Sequence, residues 1–255
     1  PFTQVDPVGF IGGYLNDELV ATVSAVRYNQ YFGFIGFYIV APTHRGNGYG
    51  MQVWNAGVEQ LADLACVGLD GVLAQTDNYQ KSGFKLAHKN CRYEGKPEQF
   101  QANASSKLDQ GERLEPLAQV GFDTLVSFDE QHFPTRRNTF LKAWATQADH
   151  HGLAILRGHE ICAYGIIRPC SLGYKIGPLF AQTTAQACHL ILALCSNLEP
   201  QTPVYLDPPA SNVMAINLAQ SLGMRMVFET ARMYKGATPS LPIENIYGIT
   251  SFELG

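Results

Sequence analysis

Apolar residues alternate with small or polar ones from Gly9 to Tyr14 and again through Leu19 to Tyr28. The two runs are joined by Asn16-Asp17, a pair that accepts the left-handed backbone of a tight hairpin turn. Phe34 to Val40 reads as a third strand. Val53, Trp54, Val58, Leu61 and Ala65 then recur at helical spacing, so one face of a helix is apolar. Val72 to Gln75 reads as a short strand, Asn78 to Ser82 as a short helix closed by Gly83, and Phe84 to Tyr93 as another strand. The order is β-β-β-α-β-α-β.

The polar stretch from Glu94 through Ser106 has little to bury and reads as a linker. Beyond it, Phe122 to His132 and Pro134 to Gln147 read as helices, the second with Pro in its first turn. Leu153–Leu156 and Ile161–Ile167 flank Gly158-His159 as a second hairpin. Tyr174–Phe180, Val204–Leu206 and Met224–Tyr234 read as strands, with helices over Thr183–Asn197 and Ser211–Leu222. Adding 140 carries Ala41 onto Ala181, Gly83 onto Gly223 and Arg92 onto Arg232, so the same unit is written twice.

The 255 residues are 46% hydrophobic and 16% charged with a net charge of −4, enough apolar material for one large or two ordinary domains. Lys and Arg are scattered, so neither a nucleic-acid footprint nor a polybasic membrane patch is present. No apolar run reaches the ~18 residues of a spanning helix, and the expectation is a soluble cytoplasmic protein. Cys66, Cys91, Cys162, Cys170, Cys188 and Cys195 form no Cys-x-x-Cys pair, and no His, Cys or acidic spacing suggests a metal.

Candidate chemistry concentrates in Arg45-Gly46-Asn47-Gly48-Tyr49-Gly50, between the third strand and the first long helix. Glycines let the backbone close on an anion, and a helix start offers free N–H groups. A P-loop would need Lys and a hydroxyl after the glycines, where Met51 and Gln52 stand; a dinucleotide fingerprint would need a different glycine spacing. What remains is an Arg-x-x-Gly-x-Gly loop for the pyrophosphate of coenzyme A, followed some thirty residues on by Tyr79-Gln80-Lys81-Ser82-Gly83-Phe84. In these two segments the chain resembles the GNAT superfamily of acetyltransferases. Asp6–Phe10, Ile176–Ala181 and the tail from Ile246 to Gly255 are similar to its bacterial tandem-domain subgroup.

The resemblance implies an α/β fold with a mixed sheet and two tandem GNAT-like domains. These are a catalytic domain over 1–95, lacking in this chain the strand and two helices that open such a domain, a linker over 96–107, and a degenerate copy over 108–255. It implies acetyl-CoA as cosubstrate, held by Tyr38, Ile39, Val40, Arg45, Gly46, Asn47, Gly48, Tyr49, Gly50 and Asn78, and Tyr79 as the acid that protonates the departing thiolate. The second copy carries Ala185, Gln186, Cys188 and Leu190 in place of Arg45, Gly46, Gly48 and Gly50, and Ala219 in place of Tyr79, so one active site is expected. The reaction implied is acetyl transfer to a small-molecule or peptide amine by direct attack in a ternary complex. The alternative is a non-catalytic acyl-CoA sensor or interaction protein, because Phe34 to Val40 offers no carboxylate as general base. The acceptor, the base and the oligomeric state, a homodimer included, stay open.

Overall fold

The computed structural model describes residues 1–100 and 107–255. The core of the expected linker, residues 101–106, lies outside the described residues, whereas Glu94 and Gly95 end a strand and Pro97–Gln99 form a 3-10 turn. The chain forms two compact units, and neither is contiguous. The first comprises Pro1–Ala87, Ala231–Pro239 and Phe252–Gly255; the second comprises His88–Thr230 and Ser240–Ser251. These boundaries differ from the contiguous division at 95 and 108 expected from the sequence.

In the first unit a short turn of helix, α1 (Phe2–Val5), precedes the hairpin β1 (Phe10–Leu15) and β2 (Glu18–Arg27). Asn16 and Asp17 take φ of 47° and 68°, the left-handed pair such a turn demands. β3 (Phe32–Val40) pairs antiparallel with β2, and β4 (Cys66–Val72) pairs parallel with β3. Between them α2 (Tyr49–Gln60) crosses one face of the sheet, burying Val53 and Trp54 against Ala21, Val23, Ala25, Ile35 and Leu69. α3 (Thr76–Lys81) follows β4, and Gly83 at φ 90° ends it.

The strand expected at Val72–Gln75 is instead β4, six residues earlier, and Leu73–Gln75 is a 3-10 turn. Gly68, Asp70 and Gly71 break the apolar run that would have announced it. Both glycines are there for space: a Cβ at Gly68 would lie 2.8 Å from the Phe34 ring, and one at Gly71 would overlap the ring of Tyr79.

The second unit repeats the plan with a strand and two helices ahead of its hairpin. β6 (Glu112–Pro116), α4 (Phe122–Asp129) and α5 (Asn138–Ala145) precede the hairpin β7 (His151–Arg157) and β8 (Glu160–Cys170). β9 (Gly173–Ala181), α6 (Thr184–Cys195), β10 (Val204–Leu206) and α7 (Val213–Ser221) follow, and β12 (Ile246–Gly248) pairs with β9. Cys188 and Cys195 are packed in its core. Helix α5 starts four residues later than expected, leaving Pro134 outside it. Arg137 holds a non-helical backbone there (φ −132°, ψ 49°), with its guanidinium 2.7 Å from both oxygens of buried Asp129 and 3.9 Å from the Phe133 ring.

Each unit is finished by a strand from the other half of the sequence. β5 (Lys85–Gly95), which follows β4 and α3, pairs antiparallel with β10 of the second unit from Tyr93 to Gly95. The last part of β11 (Arg225–Gly236), which follows β10 and α7, lies beside β4 in the first. The repeat-related arginines bind the strands they reach: Arg232 meets Asp70 at 3.0 and 2.6 Å, and Arg92 meets Asp207 at 2.9 Å through two nitrogens. Both are structural anchors. Lys175 is a second cation at Asp207, 2.5 Å away.

No helix among the described residues is long and apolar enough to cross a membrane.

Removing one member of a buried pair strands the other charge in low dielectric. Arg232→Met should therefore cost about 3–5 kcal/mol in urea unfolding, while Arg232→Met with Asp70→Leu should recover most of that loss. For Asp207, burial pushes the carboxyl upward, but Lys175 and Arg92 outweigh it and hold the acid below its usual range. A depressed folded pKa gives stability that is complete above the unfolded value of about 4 and is lost as pH falls further. Acid unfolding of Asp207→Asn should accordingly be shallower than that of the parent below pH ~4.

Candidate active site

β3 is paired on both edges only part of the way. Its register with β4 runs from Phe32–Cys66 to Ile35–Leu69, while its register with β2 continues to Val40. From Gly36 to Val40, including Tyr38, Ile39 and Val40, the β4-facing edge of the backbone is therefore unpaired by β4. Phe37 marks the break with φ of 44°, and the Thr22 hydroxyl donates to its carbonyl at 2.9 Å. Unpaired backbone groups are retained where solvent or a ligand reaches them.

The open edge leads directly into the glycine loop. Ala41 starts a 3-10 turn over Pro42–His44, and Gly46 and Gly48 follow at φ 83° and 81°. A side chain at either glycine would be strained, though nothing stands within 4 Å of where its Cβ would be. Gly48 is the N-cap of α2 and offers no side-chain oxygen, and the first turn carries no acid. The first helical bond runs from Gln52 N–H to the Gly48 carbonyl at 3.2 Å, so the N–H groups of Tyr49, Gly50 and Met51 have no intrahelical acceptor. Gly50 is required for a different reason: a Cβ there would lie 2.7 Å from the Tyr38 hydroxyl and 2.8 Å from a Val40 methyl. Arg45 is exposed, its Nε donating to the Val40 carbonyl at 3.2 Å, and the Asn47 amide donates to the His44 carbonyl at 3.3 Å. His44 is a turn residue bonded to Thr43. The result is an exposed nest of N–H groups with the positive end of a twelve-residue helix behind it, suited to an anion.

The repeat supplies an internal control. α6 begins three residues after Ala181, whereas α2 begins eight residues after Ala41. The residues aligned with the loop are thus the first turns of a helix. Thr183 caps that helix through a bond from Gln186 N–H at 3.3 Å, and the Gln186 side chain returns a bond to Thr183 N–H at 3.1 Å. Its N–H groups are answered by its own side chains.

Behind the open edge lies an aromatic row. Trp54 sits 5.3 Å from Tyr38, 5.2 Å from Tyr79 and 5.9 Å from Phe84 between ring centroids, and its Nε1 donates to Ser82 Oγ at 2.9 Å. Tyr79 is 7% exposed, and its hydroxyl makes no hydrogen bond to protein among the described residues. Burial, with a smaller contribution from Tyr38, pushes its phenol up to about 12. Burial also raises the Tyr38 phenol. The helix expected over Asn78 to Ser82 is α3, which begins two residues earlier at Thr76, and the exposed Asn78 amide donates to Gln75 Oε1 at 2.6 Å.

Sequence reasoning missed the residues that make this arrangement possible. Gly71 vacates the space filled by the Tyr79 ring, Asp70 anchors the incoming strand from inside the sheet, and Gly36 makes room for the Glu253 carbonyl. The only signal for them was glycine and acid inside what proved to be β4 and β3. The described residues hold no group of three or more His, Cys, Asp or Glu disposed to bind a metal.

Comparison with known proteins agrees with the geometry. The profile of the acetyltransferase (GNAT) family matches residues 2–84, and that of the acetyltransferase (GNAT) domain matches residues 125–248. Holothin acyltransferase of Pseudoalteromonas sp. (strain SANK 73390) is 34% identical over all of this chain and 84% of its own length. A candidate acetyltransferase from Pyrococcus horikoshii superposes with a TM-score of 0.82 at 21% identity, covering 99% of this chain and 82% of that one. A tandem GNAT protein from the clavulanic acid pathway superposes with a TM-score of 0.65 at 12% identity, covering 93% of this chain and 86% of its own. Two profile matches and a relative aligned along the whole chain make this protein a tandem-domain member of the GNAT acetyltransferase family and an N-acyltransferase.

Proposed function

We propose that this chain transfers an acetyl group from acetyl-CoA to an amine by direct attack in a ternary complex, with one active site, in the first unit. The observation that carries the reading is the contrast between the two helix starts. α2 opens on Gly48 with no side-chain cap, whereas α6 is closed by Thr183 and Gln186. Only the former is free to receive a pyrophosphate, on the N–H groups from Gly46 to Gly50 with Arg45 alongside. Tyr38, Ile39 and Val40 offer backbone groups on the unpaired edge to the amides of the pantetheine arm. Asn78 would exchange its bond to Gln75 for one to the cosubstrate.

In the reaction the acceptor nitrogen forms a bond to the thioester carbonyl carbon and the carbon–sulfur bond breaks. The sulfur needs a proton as it leaves, and the nitrogen, on becoming an amide, gives one up to solvent, from which the donor is restored. Tyr79 is the candidate donor: a phenol held near 12 stays protonated at any working pH, and no hydrogen-bond partner among the described residues competes for its proton. The alternative of a sensor without catalysis is disfavoured by a full-length relative that is itself an acyltransferase. Holothin, the acceptor named for that relative, is the first amine to try, beside spermidine and benzylamine.

Thiol release from acetyl-CoA should depend on added amine. If acetyl-CoA binds but none of these amines, nor a broader panel, releases thiol, the catalytic reading fails. Tyr79→Phe should lower kcat about 100-fold, within the range of a lost general acid, with the acetyl-CoA Kd within about twofold of the parent. Arg45→Ala should instead raise that Kd about tenfold, near 1.4 kcal/mol, and leave the pH profile alone. Because loss of the Tyr79 proton would occur only as pH rises toward about 12, kcat should show no alkaline fall from this group up to pH ~10, which a pH–rate profile reads directly.

A further inference from the structure

The gap that opens beyond Ile35 and Leu69 has two sides. Ile35, Leu69, Gly71, Trp54 and Tyr79 belong to the face covered by α2. Phe34, Gly68, Asp70 and Arg232 belong to the other: Gly68 faces the Phe34 and Tyr234 rings, and the Arg232 guanidinium lies 5.1 Å from the Phe34 ring. On that second face, at the first β3 residue past the break, stands Gly36. It has no room for a side chain, because a Cβ would overlap the backbone carbonyl of Glu253. The chain's final residues are thus laid against the mouth of the gap, opposite Tyr79 and the glycine loop.

This tail is held firmly. The Tyr28 hydroxyl donates to the Leu254 carbonyl at 2.9 Å, and Phe252 and Leu254 are 7% and 1% exposed. Glu253 between them remains partly open to solvent, and its side chain has no ion pair or hydrogen bond among the described residues. Every other side-chain carboxylate of this unit is engaged or placed elsewhere. Asp6 accepts from the Val8 and Arg27 N–H groups, Asp63 binds Arg27, and Asp70 binds Arg232. Asp17 and Glu18 lie at the hairpin turn, beyond the point where Ala21 pairs with Val40. Glu59 and Asp77 are on the exposed faces of α2 and α3.

Resting on the transfer reaction proposed above, we propose that Glu253 is the acceptor-binding carboxylate: it receives the N–H groups of the amine on the face opposite the cosubstrate and steadies the positive charge that gathers on nitrogen as the new bond forms. The acceptor class is then an amine whose nitrogen is free of a neighbouring acid, since a second carboxylate there would face Glu253. A carboxylate supplied by the tail also accounts for a β3 that carries none. Charge-assisted bonds of this kind are about twice as strong as neutral ones and weaken with salt where solvent reaches them.

Glu253→Gln keeps size and hydrogen bonding but removes the charge. With the panel amine of highest turnover, its KM should rise about tenfold while the acetyl-CoA Kd and thermal midpoint stay those of the parent, and Glu253→Asp should recover part of the loss. The parent KM should rise with added salt, and the Gln variant's should not. A folded Gln variant with amine KM and kcat within about twofold of the parent overturns the assignment. Where the parent shows no turnover, the transfer reading itself has failed, and calorimetric titration of spermidine onto the CoA-saturated protein decides the present point separately. Weaker binding to the Gln variant supports Glu253; equal binding, or none to the parent, overturns it.

Discussion

Two neighbouring strands that cease to pair set the terms for this molecule. A buried sheet edge with free N–H and C=O groups is costly unless something else satisfies it, so β3 beyond Ile35 is a commitment to solvent or a ligand. The same break lets the chain turn into a loop whose glycines take backbone angles that other residues resist, and then into a helix with nothing to close its first turn. The β3 edge that β4 leaves unpaired, the glycine loop and the uncapped helix start follow one another along the chain from Gly36 to Met51. Tyr79 and the tail approach it from opposite faces.

The second unit shows what the fold does when that commitment is withdrawn. There the helix begins five residues sooner relative to the conserved alanine, a threonine closes its start, and a glutamine that is 2% exposed completes the cap. The difference is a change of backbone path, not simply a set of substitutions in a common loop. Elsewhere this unit is held by buried charge: Asp129 accepts from Arg137 and from the Tyr164 hydroxyl, and Asp207 is shared by Arg92 and Lys175.

Local periodicity made most of the fold legible, because hairpins and amphipathic helices write their pattern within a few residues. The hairpin turn at Asn16-Asp17, the strand Val204–Leu206 and the helix after the glycine loop were each readable in this way. β4 was not, since its glycines answer to Phe34 and to Tyr79, residues far away in sequence. The start of α5 was misplaced for a related reason: Arg137 obeys Asp129 and Phe133 more than its own helix propensity. The glycine loop and the Tyr79 segment stood out because their chemistry is carried by contiguous residues. Gly36 and the tail did not, because the contact that joins them spans more than two hundred positions.

The exchange of the last strands bears on how the protein comes into being. The sheet of the first unit lacks its strand beside β4 until residues 231–236 have been made, and Arg232 cannot neutralise Asp70 before then. During synthesis the segment 1–87 is made well before residues 231–236, and until then it carries an unmatched buried acid and an open sheet edge. The contacts that complete this unit are among the most distant in sequence, the kind associated with slow assembly. Once formed, the first unit cannot shed residues 231–236 without baring β4 and stranding Asp70, so its integrity rests on a residue 162 positions further along the sequence.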